Sequence, residues 1–298
     1  MKIVKSLLAL SLVACFIGCS KKDNPTPENT TETAETTQET QVEKLTYIFD
    51  NEVIVDNEYC TITIVNVNET KRNVDFKFNL ENKTEDTNLM FSIDNVAANN
   101  WMLPTLFADS VAPGKKSIET LELMNIGDYN LTSIDKLEFS LRVYDYDDWM
   151  ADDFVNEVMI LYPTGLSEDE VISPEISLPG TETVLVDNDY CSIIILEDYT
   201  DKLWGYTLST YIENKTTDMD MLFSVDDVSV NGYMVDPFWA TSVTAGNKKL
   251  SGISFSDSQF KENGIENVEN VEFELIAHGI EDWRNNIVQE VFTYTPLH

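Results

Sequence analysis

The chain has 298 residues, and its 53 acidic against 19 basic side chains give a formal net charge of -34 at pH 7. Nucleic-acid binding and polybasic membrane contacts both depend on Lys and Arg, so this balance excludes most functions of those kinds. The carboxylates are expected to form a solvated surface, while 43% hydrophobic residues suffice for one large core or two smaller ones.

The N-terminus has the pattern of a secretion signal. Lys2 and Lys5 precede an apolar run from residue 7 to residue 17, which ends before Gly18 and Cys19. A membrane-spanning helix needs about 20 apolar residues, so this shorter run after a basic start predicts a cleaved signal peptide over residues 1–18.

This segment resembles the signals of bacterial lipoproteins, in which a cysteine after a small residue is lipidated and becomes the mature N-terminus. The resemblance implies a lipid on Cys19 and a membrane-anchored protein that faces the extracytoplasmic side. Cys15 is an alternative because residues 12–15 match the usual lipoprotein box better, and plain secretion is a third possibility. We favour Cys19, since cleavage there leaves a longer apolar core and exposes a Ser-Lys-Lys sequence. Each buried CH₂ of an acyl chain contributes about 0.8 kcal/mol, which allows two or three chains to hold the protein on a membrane.

Residues 19–44 form a segment rich in Thr and Glu, with almost no apolar side chains. Such a segment cannot bury enough surface to offset the entropy of ordering. The sequence therefore predicts a disordered stalk between the anchor and the folded part.

The remainder of the chain repeats itself once in the same order, which is most simply explained by two copies of one module. We place module 1 at 45–163 and module 2 at 184–298, with a Pro- and Gly-containing linker at 164–183 whose length permits relative motion. Module 2 carries an insert, Ser256–Gly264, with the Ser cap and Gly stop of a short helix. The matching stretches are Val55–Cys60 with Val186–Cys191, Glu81–Thr84 with Glu213–Thr216, and Asp148-Trp149 with Asp282-Trp283.

Within each module the apolar residues recur with a period of two, which is typical of half-buried antiparallel strands. Turn sequences such as Asn82–Thr84, Asn99-Asn100 and Pro113-Gly114 separate these runs at short intervals. About seven short strands per module predict an all-β protein with two tandem immunoglobulin-like antiparallel β-sandwiches, and a Greek-key barrel is the alternative. The clearest runs are Val74, Phe76, Phe78 and Leu80; Leu137, Phe139, Leu141 and Val143; and Val271, Phe273, Leu275 and Ala277.

The second copy carries the sequences Glu213–Thr216, Val230–Tyr233, Ser242-Val243 and Ala245–Lys249, followed by Ile265 and Val268. In these residues the chain resembles the Ig-like modules of unassigned function found in many bacterial cell-surface lipoproteins. The resemblance covers both copies, and it implies the fold without implying an activity, because those modules share no catalytic motif. The first copy has Asn99-Asn100-Trp101 where the second has Asn-Gly-Tyr.

The sequence contains no recognisable catalytic motif, and its carboxylates are so numerous that their pairing does not indicate an active site. Its two histidines are His278, expected on the polar face of a strand, and His298. Two such residues are too few to predict a His-based triad or a zinc site. Cys60 and Cys191 are predicted to be small core residues because each shares a strand face with isoleucines. Two cysteines are also too few for a disulfide framework. No P-loop or nucleophile-elbow sequence is present, so we expect no enzyme and no cofactor.

The acidic loop at residues 145–153 offers oxygen ligands for Ca²⁺, although its spacing is not that of an EF-hand. We therefore predict no metal site and keep calcium in module 1 as an alternative to a solvated loop. The candidate binding residues are Asp148, Trp149, Asp282 and Trp283, in the loop that joins the last two strands of each copy. There, tryptophan can stack on a sugar ring or anchor a protein, or it can fold back over the end of the sandwich.

Together these patterns predict a membrane-anchored, extracytoplasmic binding or scaffold protein of the bacterial cell envelope. Its expected partners are the membrane, through the N-terminal lipid, and a glycan or protein ligand, but no nucleic acid. The alternative is a solute-capturing or sensory lipoprotein with a polar ligand cleft between the modules.

Overall fold

The computed structural model describes residues 46–237 and 239–296, which belong to one compact unit. The predicted signal peptide, both candidate lipidation cysteines, the stalk, Phe238 and His298 lie outside the described residues. Within the described ranges, no helix combines the length and apolar character that crossing a membrane requires.

Module 1 consists of short strands and one 3₁₀ turn at Ile126–Tyr129. Its strands are β1 (Asp50–Asp56), β2 (Cys60–Glu69), β3 (Val74–Asn82), β4 (Leu89–Ala98), β5 (Trp101–Met102), β6 (Phe107–Val111), β7 (Lys116–Leu123), β8 (Leu137–Asp145) and β9 (Val155–Leu161).

Module 2 follows a second 3₁₀ turn at Glu168–Glu170. Its strands are β10 (Thr183–Asp187), β11 (Cys191–Asp201), β12 (Gly205–Asn214), β13 (Met221–Val230), β14 (Tyr233–Met234), β15 (Ala240–Val243), β16 (Lys248–Phe255), β17 (Val271–Gly279) and β18 (Asn286–Tyr294). The predicted insert forms helix α1 (Asp257–Asn263), capped by Ser256 and ended by Gly264 at φ 69°.

Each module is an antiparallel sandwich with immunoglobulin-like connections, which confirms the predicted fold class. In module 1, β2-β3-β7 form one sheet with β1 at its edge, whereas β4 pairs with both β6 and β8, and β8 pairs with β9. The chain therefore changes sheet three times, between β3 and β4, between β6 and β7 and between β7 and β8, as immunoglobulin domains do. Module 2 repeats this order with β11-β12-β16 and with β13, β15, β17 and β18.

The alternating residues face the interior of each sandwich as predicted. The alternating apolar side chains predicted to face inward in β3, β8 and β17 are at most 1% exposed, while the residues between them are more exposed. Full burial of one such side chain contributes about 1.5–3 kcal/mol, so these rows supply a large part of the driving force for folding.

Asparagines close the predicted turns in both modules. Asn99 and Asn100 have φ of 46° and 67°, and Asn231 and Gly232 have 52° and 79°, the positive values of a two-residue hairpin turn. Both hairpins therefore have the same form although their sequences differ. They connect β4 to β5 and β13 to β14.

The two modules join through a continuous sheet, which the sequence did not predict. β5 of module 1 pairs in parallel with β16 of module 2, with Trp101 opposite Lys248. Trp101 is fully buried, and its ring lies 5.6 Å from Tyr129 and 5.8 Å from Tyr211, centroid to centroid. The linker is held at this junction as well, because Trp101 Nε1 donates to the carbonyl of Pro174 at 2.8 Å.

Candidate functional site

The β8–β9 loop of module 1 exposes its tryptophan to solvent. Trp149 is 64% exposed, and its neighbours Tyr146 and Met150 are exposed as well. Hydrogen bonds from Arg142 stabilise the loop. Its Nε donates to both carboxylate oxygens of Asp153, at 2.8 and 2.9 Å, and its Nη2 donates to the Trp149 carbonyl at 3.3 Å. The loop backbone is thus fixed while the indole points away from the sandwich.

The β17–β18 loop of module 2 exposes Trp283 to the same extent, 64%. Asp282 fixes this loop, since its carboxylate accepts from Asn285 Nδ2 at 2.7 Å and its backbone N–H donates to the Gly279 carbonyl at 3.1 Å. The guanidinium of Arg284 lies 4.8 Å from the centroid of the Trp283 ring, at cation–π distance. Neither tryptophan folds back over the end of its sandwich.

The structure does not bring these two loops together. The Trp149 loop follows the C-terminal end of β8, whereas the other end of β8 lies at the module junction, where Asn247 Nδ2 donates to Glu138 at 3.1 Å. Nine strand residues span roughly 27 Å, so the Trp149 loop is far from the junction. The Trp283 loop lies beside the Asp218–Asp220 turn, since Ile280 N donates to the Asp220 carbonyl. Each tryptophan therefore presents a separate surface.

Three carboxylates of the acidic loop, those of Asp145, Asp147 and Asp153, accept hydrogen bonds from protein donors. Asp145 accepts backbone N–H bonds from residues 147 and 148, and Asp147 accepts from Asn88 Nδ2 at 3.0 Å. The Arg142 guanidinium lowers the pKa of Asp153 by hydrogen bonding. Over the described ranges, no group of three or more His, Cys, Asp or Glu is arranged to hold a metal ion.

Cys60 and Cys191 are buried and unpaired core residues. Burial raises the pKa of both thiols to about 11, so neither is a ready nucleophile. His278 is half-buried on β17, and its Nδ1 lies 2.9 Å from the Gly279 carbonyl.

A polar groove of about 540 Å³ lies between the two modules. Lys136 and Glu138 line its module 1 wall and pair at 3.0 Å, each with a side chain 14% exposed. Asp218, Asp220 and other residues of module 2 line the opposite wall. The side-chain oxygen of Asn247, next to Glu138, is buried and has no hydrogen-bond partner within the described part of the chain.

Other aromatic residues divide between core and surface. Trp101 and Trp239 are buried, whereas Tyr233 is 52% exposed. Sequence reasoning overlooked Trp204, which is 63% exposed at the tip of the β11–β12 hairpin. The signal was present, because Leu203-Trp204 stand where module 1 has Lys71-Arg72, and an apolar pair at a hairpin tip is unusual.

These observations define the class of the protein: it is an all-β protein of two immunoglobulin-like sandwiches joined by a shared sheet. No family model and no curated protein matches the sequence. Among solved structures, red sea bream transglutaminase aligns at 9% identity over 82% of this chain and 32% of its own, with a TM-score of 0.23. The chain thus spans about a third of that structure's length, and a similarity this weak carries no argument about activity.

Proposed function

We propose that the chain is a membrane-anchored, extracytoplasmic binding or scaffold protein of the bacterial cell envelope, held by a lipid on Cys19. The observation that carries binding is the equal exposure of Trp149 and Trp283, 64% each, in equivalent loops of the two modules. The signal pattern and the stalk sequence of residues 19–44 support the location.

Exposed indoles suit recognition because tryptophan combines a large apolar face with one polar N–H. Burial of such residues supplies most of the binding energy at many interfaces, and truncation of one often costs 2 kcal/mol or more. Loops at the end of a sandwich are a common location for binding residues. Arg142 and Asp282 fix the two loop backbones, which lowers the entropic cost of binding.

Binding fits the described residues better than catalysis does. The thiols of Cys60 and Cys191 are buried with raised pKa values, and His278 contacts the carbonyl of Gly279. Nucleophilic catalysis needs an accessible nucleophile next to a base that activates it. Neither cysteine meets the first of these requirements.

Binding of the labelled full chain to envelope preparations from its own bacterium tests the proposal. The double variant Trp149→Ala with Trp283→Ala is compared with Leu106→Ala, a matched control at a position 90% exposed. Wild type and control should bind saturably with equal affinity, while the double variant loses about tenfold or more. Equal binding by all three proteins would contradict the role of the two tryptophans.

The groove between the modules favours a second candidate, capture of a small polar solute. Its volume of about 540 Å³ lies in the range of small-molecule sites, and the shielded Lys136–Glu138 pair offers charges of both signs. Ser140→Trp would fill the groove from its module 1 wall. A solute that raises the melting temperature of wild type but not of this variant would support capture. An equal rise in both proteins would exclude the groove as the binding site of that solute.

A further inference from the structure

The second module carries a groove of about 730 Å³ beside its β11–β12 hairpin. Its floor is formed by Thr207, Gly252 and Ser254 of the β12–β16 pair. One wall is the β11–β12 hairpin with Tyr199, Leu203 and Trp204, and Asp236 and Asp257 line the groove as well. The volume falls within the range of about 300–1,000 Å³ for small-molecule sites.

The apolar part of the lining is aromatic and exposed. Trp204 is 63% exposed and Tyr199 is 45% exposed, and both belong to the same hairpin. Leu203 extends this surface with 78% exposure. An aromatic face lying open beside polar groups suits a ligand with flat apolar faces and polar edges.

The polar part of the lining consists of hydroxyl and carboxylate groups. The hydroxyls of Thr207 and Ser254 lie 2.9 Å apart on the groove floor. Thr207 is only 1% exposed, whereas Ser254 is half-buried, so the Ser254 hydroxyl is the one open to a ligand. The carboxylates of Asp236 and Asp257 are exposed acceptors. Such groups match the hydroxyl-rich edges of a pyranose ring.

The hairpin that carries Trp204 is held in place before any ligand binds. The carboxylate of Asp201 accepts from the backbone N–H groups of Leu203 at 2.8 Å and Trp204 at 2.5 Å. Gly205 follows with φ +75°, and a Cβ there would meet the Phe255 carbonyl oxygen at 2.3 Å, so only glycine fits this close approach. Preorganisation of this kind reduces the entropy lost on binding.

The equivalent surface of module 1 differs at these positions. Strand register places Asn68 at the position of Tyr199, Asp75 at that of Thr207 and Glu122 at that of Ser254. Arg72 precedes β3 as Trp204 precedes β12. The two copies thus agree in their cores and differ at the groove, which indicates a site particular to module 2.

The negative charge of the groove lining restricts the charge of the ligand it can bind. The groove contains one basic residue, Lys202, against Asp236 and Asp257, in a chain with a net charge of -34. Anionic polymers would be repelled by this field. We propose that the groove binds a neutral or amino-substituted oligosaccharide, with Trp204 and Tyr199 stacked on its sugar rings. This site is separate from the Trp149 and Trp283 loops and does not depend on them.

Titration of the full chain with neutral hexose oligomers (maltohexaose, cellohexaose, mannohexaose) and with chitohexaose, by calorimetry and tryptophan fluorescence, tests the proposal. At least one of these probes should bind wild type and shift its emission to shorter wavelength. Trp204→Ala should weaken that binding about tenfold or more. Trp204→Phe should keep the affinity within about threefold by calorimetry while the emission shift disappears, a pattern that misfolding would not produce.

Leu106→Ala is the matched control, because Leu106 is a large apolar side chain that is 90% exposed and does not line the groove. This variant should bind the probe as wild type does. Absence of binding to every probe, or unchanged binding by Trp204→Ala, would overturn the proposal. Equal weakening of binding in Leu106→Ala would overturn it too, because the loss would then not depend on the groove. Binding of an unstructured peptide at the groove in place of every sugar would likewise overturn it.

Discussion

Truncation of Trp101 to alanine should destabilise both modules together. Trp101 is fully buried, lies on the short strand β5 that pairs with β16, and contacts Tyr211 of module 2. Its indole N–H also donates to Pro174 in the linker. The substitution therefore removes contacts to module 1, to module 2 and to the segment between them.

The expected loss is about 4 kcal/mol. Truncation of a buried Trp or Phe to Ala costs about 3–5 kcal/mol, because a cavity remains after the transfer free energy is lost. Removal of the indole N–H leaves the Pro174 carbonyl without that donor, and Lys248 loses a ring 5.9 Å from its ammonium group. For a unit of this size a loss of 1 kcal/mol lowers the melting temperature by about 2–4 °C, so a decrease on the order of 10 °C is expected.

Calorimetry together with hydrogen exchange provides the assay. In wild type, a single transition is expected, with the amides of β8 in module 1 and β17 in module 2 losing protection at one temperature. In Trp101→Ala both should lose protection earlier, whereas Trp149→Ala, an exposed control, should stay within about 0.5 kcal/mol of wild type. A change confined to module 1, or a decrease below 2 °C, would refute the coupling of the modules through Trp101.

Three further predictions concern individual side chains. Asn214→Ala should cost about 3 kcal/mol in a denaturant titration, because this buried amide donates to the Met219 and Val243 carbonyls, and an unchanged midpoint would contradict that role. Cys60 and Cys191 should resist alkylation by iodoacetamide at pH 8 in the native protein, because burial raises the pKa of both thiols to about 11. Peptide mapping should find both cysteines alkylated only after unfolding. Rapid alkylation of the native protein would contradict their burial. Lys215 lowers the pKa of the Asp187 carboxyl, so this pair stabilises the fold above about pH 4 and the contribution is lost as pH falls through the lowered pKa. Asp187→Asn should therefore flatten the acid limb of the stability profile, and an unaltered limb would show that the pair contributes nothing.

Sequence periodicity predicted the interior of each sandwich well. The alternation in β3 and β8 depends only on which face of a strand is buried, and this information is local to each strand. The repeat and the turn residues then located the hairpins and helix α1. For the same reason the burial of Cys60 and Cys191 could be predicted from their neighbours.

The junction could not be predicted in the same way, because pairing of β5 with β16 joins residues almost 150 positions apart in the chain. One signal was present: the run Ile193-Ile194-Ile195-Leu196 in β11 breaks the alternation seen in module 1. A continuous apolar run indicates a strand buried on both faces. Ile194 and Leu196 indeed pack against the core of module 1.

The candidate loops were located from the repeated Asp-Trp pair, but the exposure of Trp149 and Trp283 was not predictable. A tryptophan at the end of a sandwich can cover the core or face solvent, and the choice depends on loop contacts such as Arg142 with the Trp149 carbonyl. Trp204 escaped sequence reasoning because it has no counterpart in the first copy.

The proposed function depends on a location outside the cytoplasm, because an envelope binding protein must be exported. Mass spectrometry of the N-terminal peptide, from protein isolated from the cells that produce it, tests this most directly. The expected peptide begins at Cys19, lacks residues 1–18 and carries the mass of two or three acyl chains. An intact, unmodified Met1 terminus on soluble protein would contradict the anchored, extracytoplasmic role.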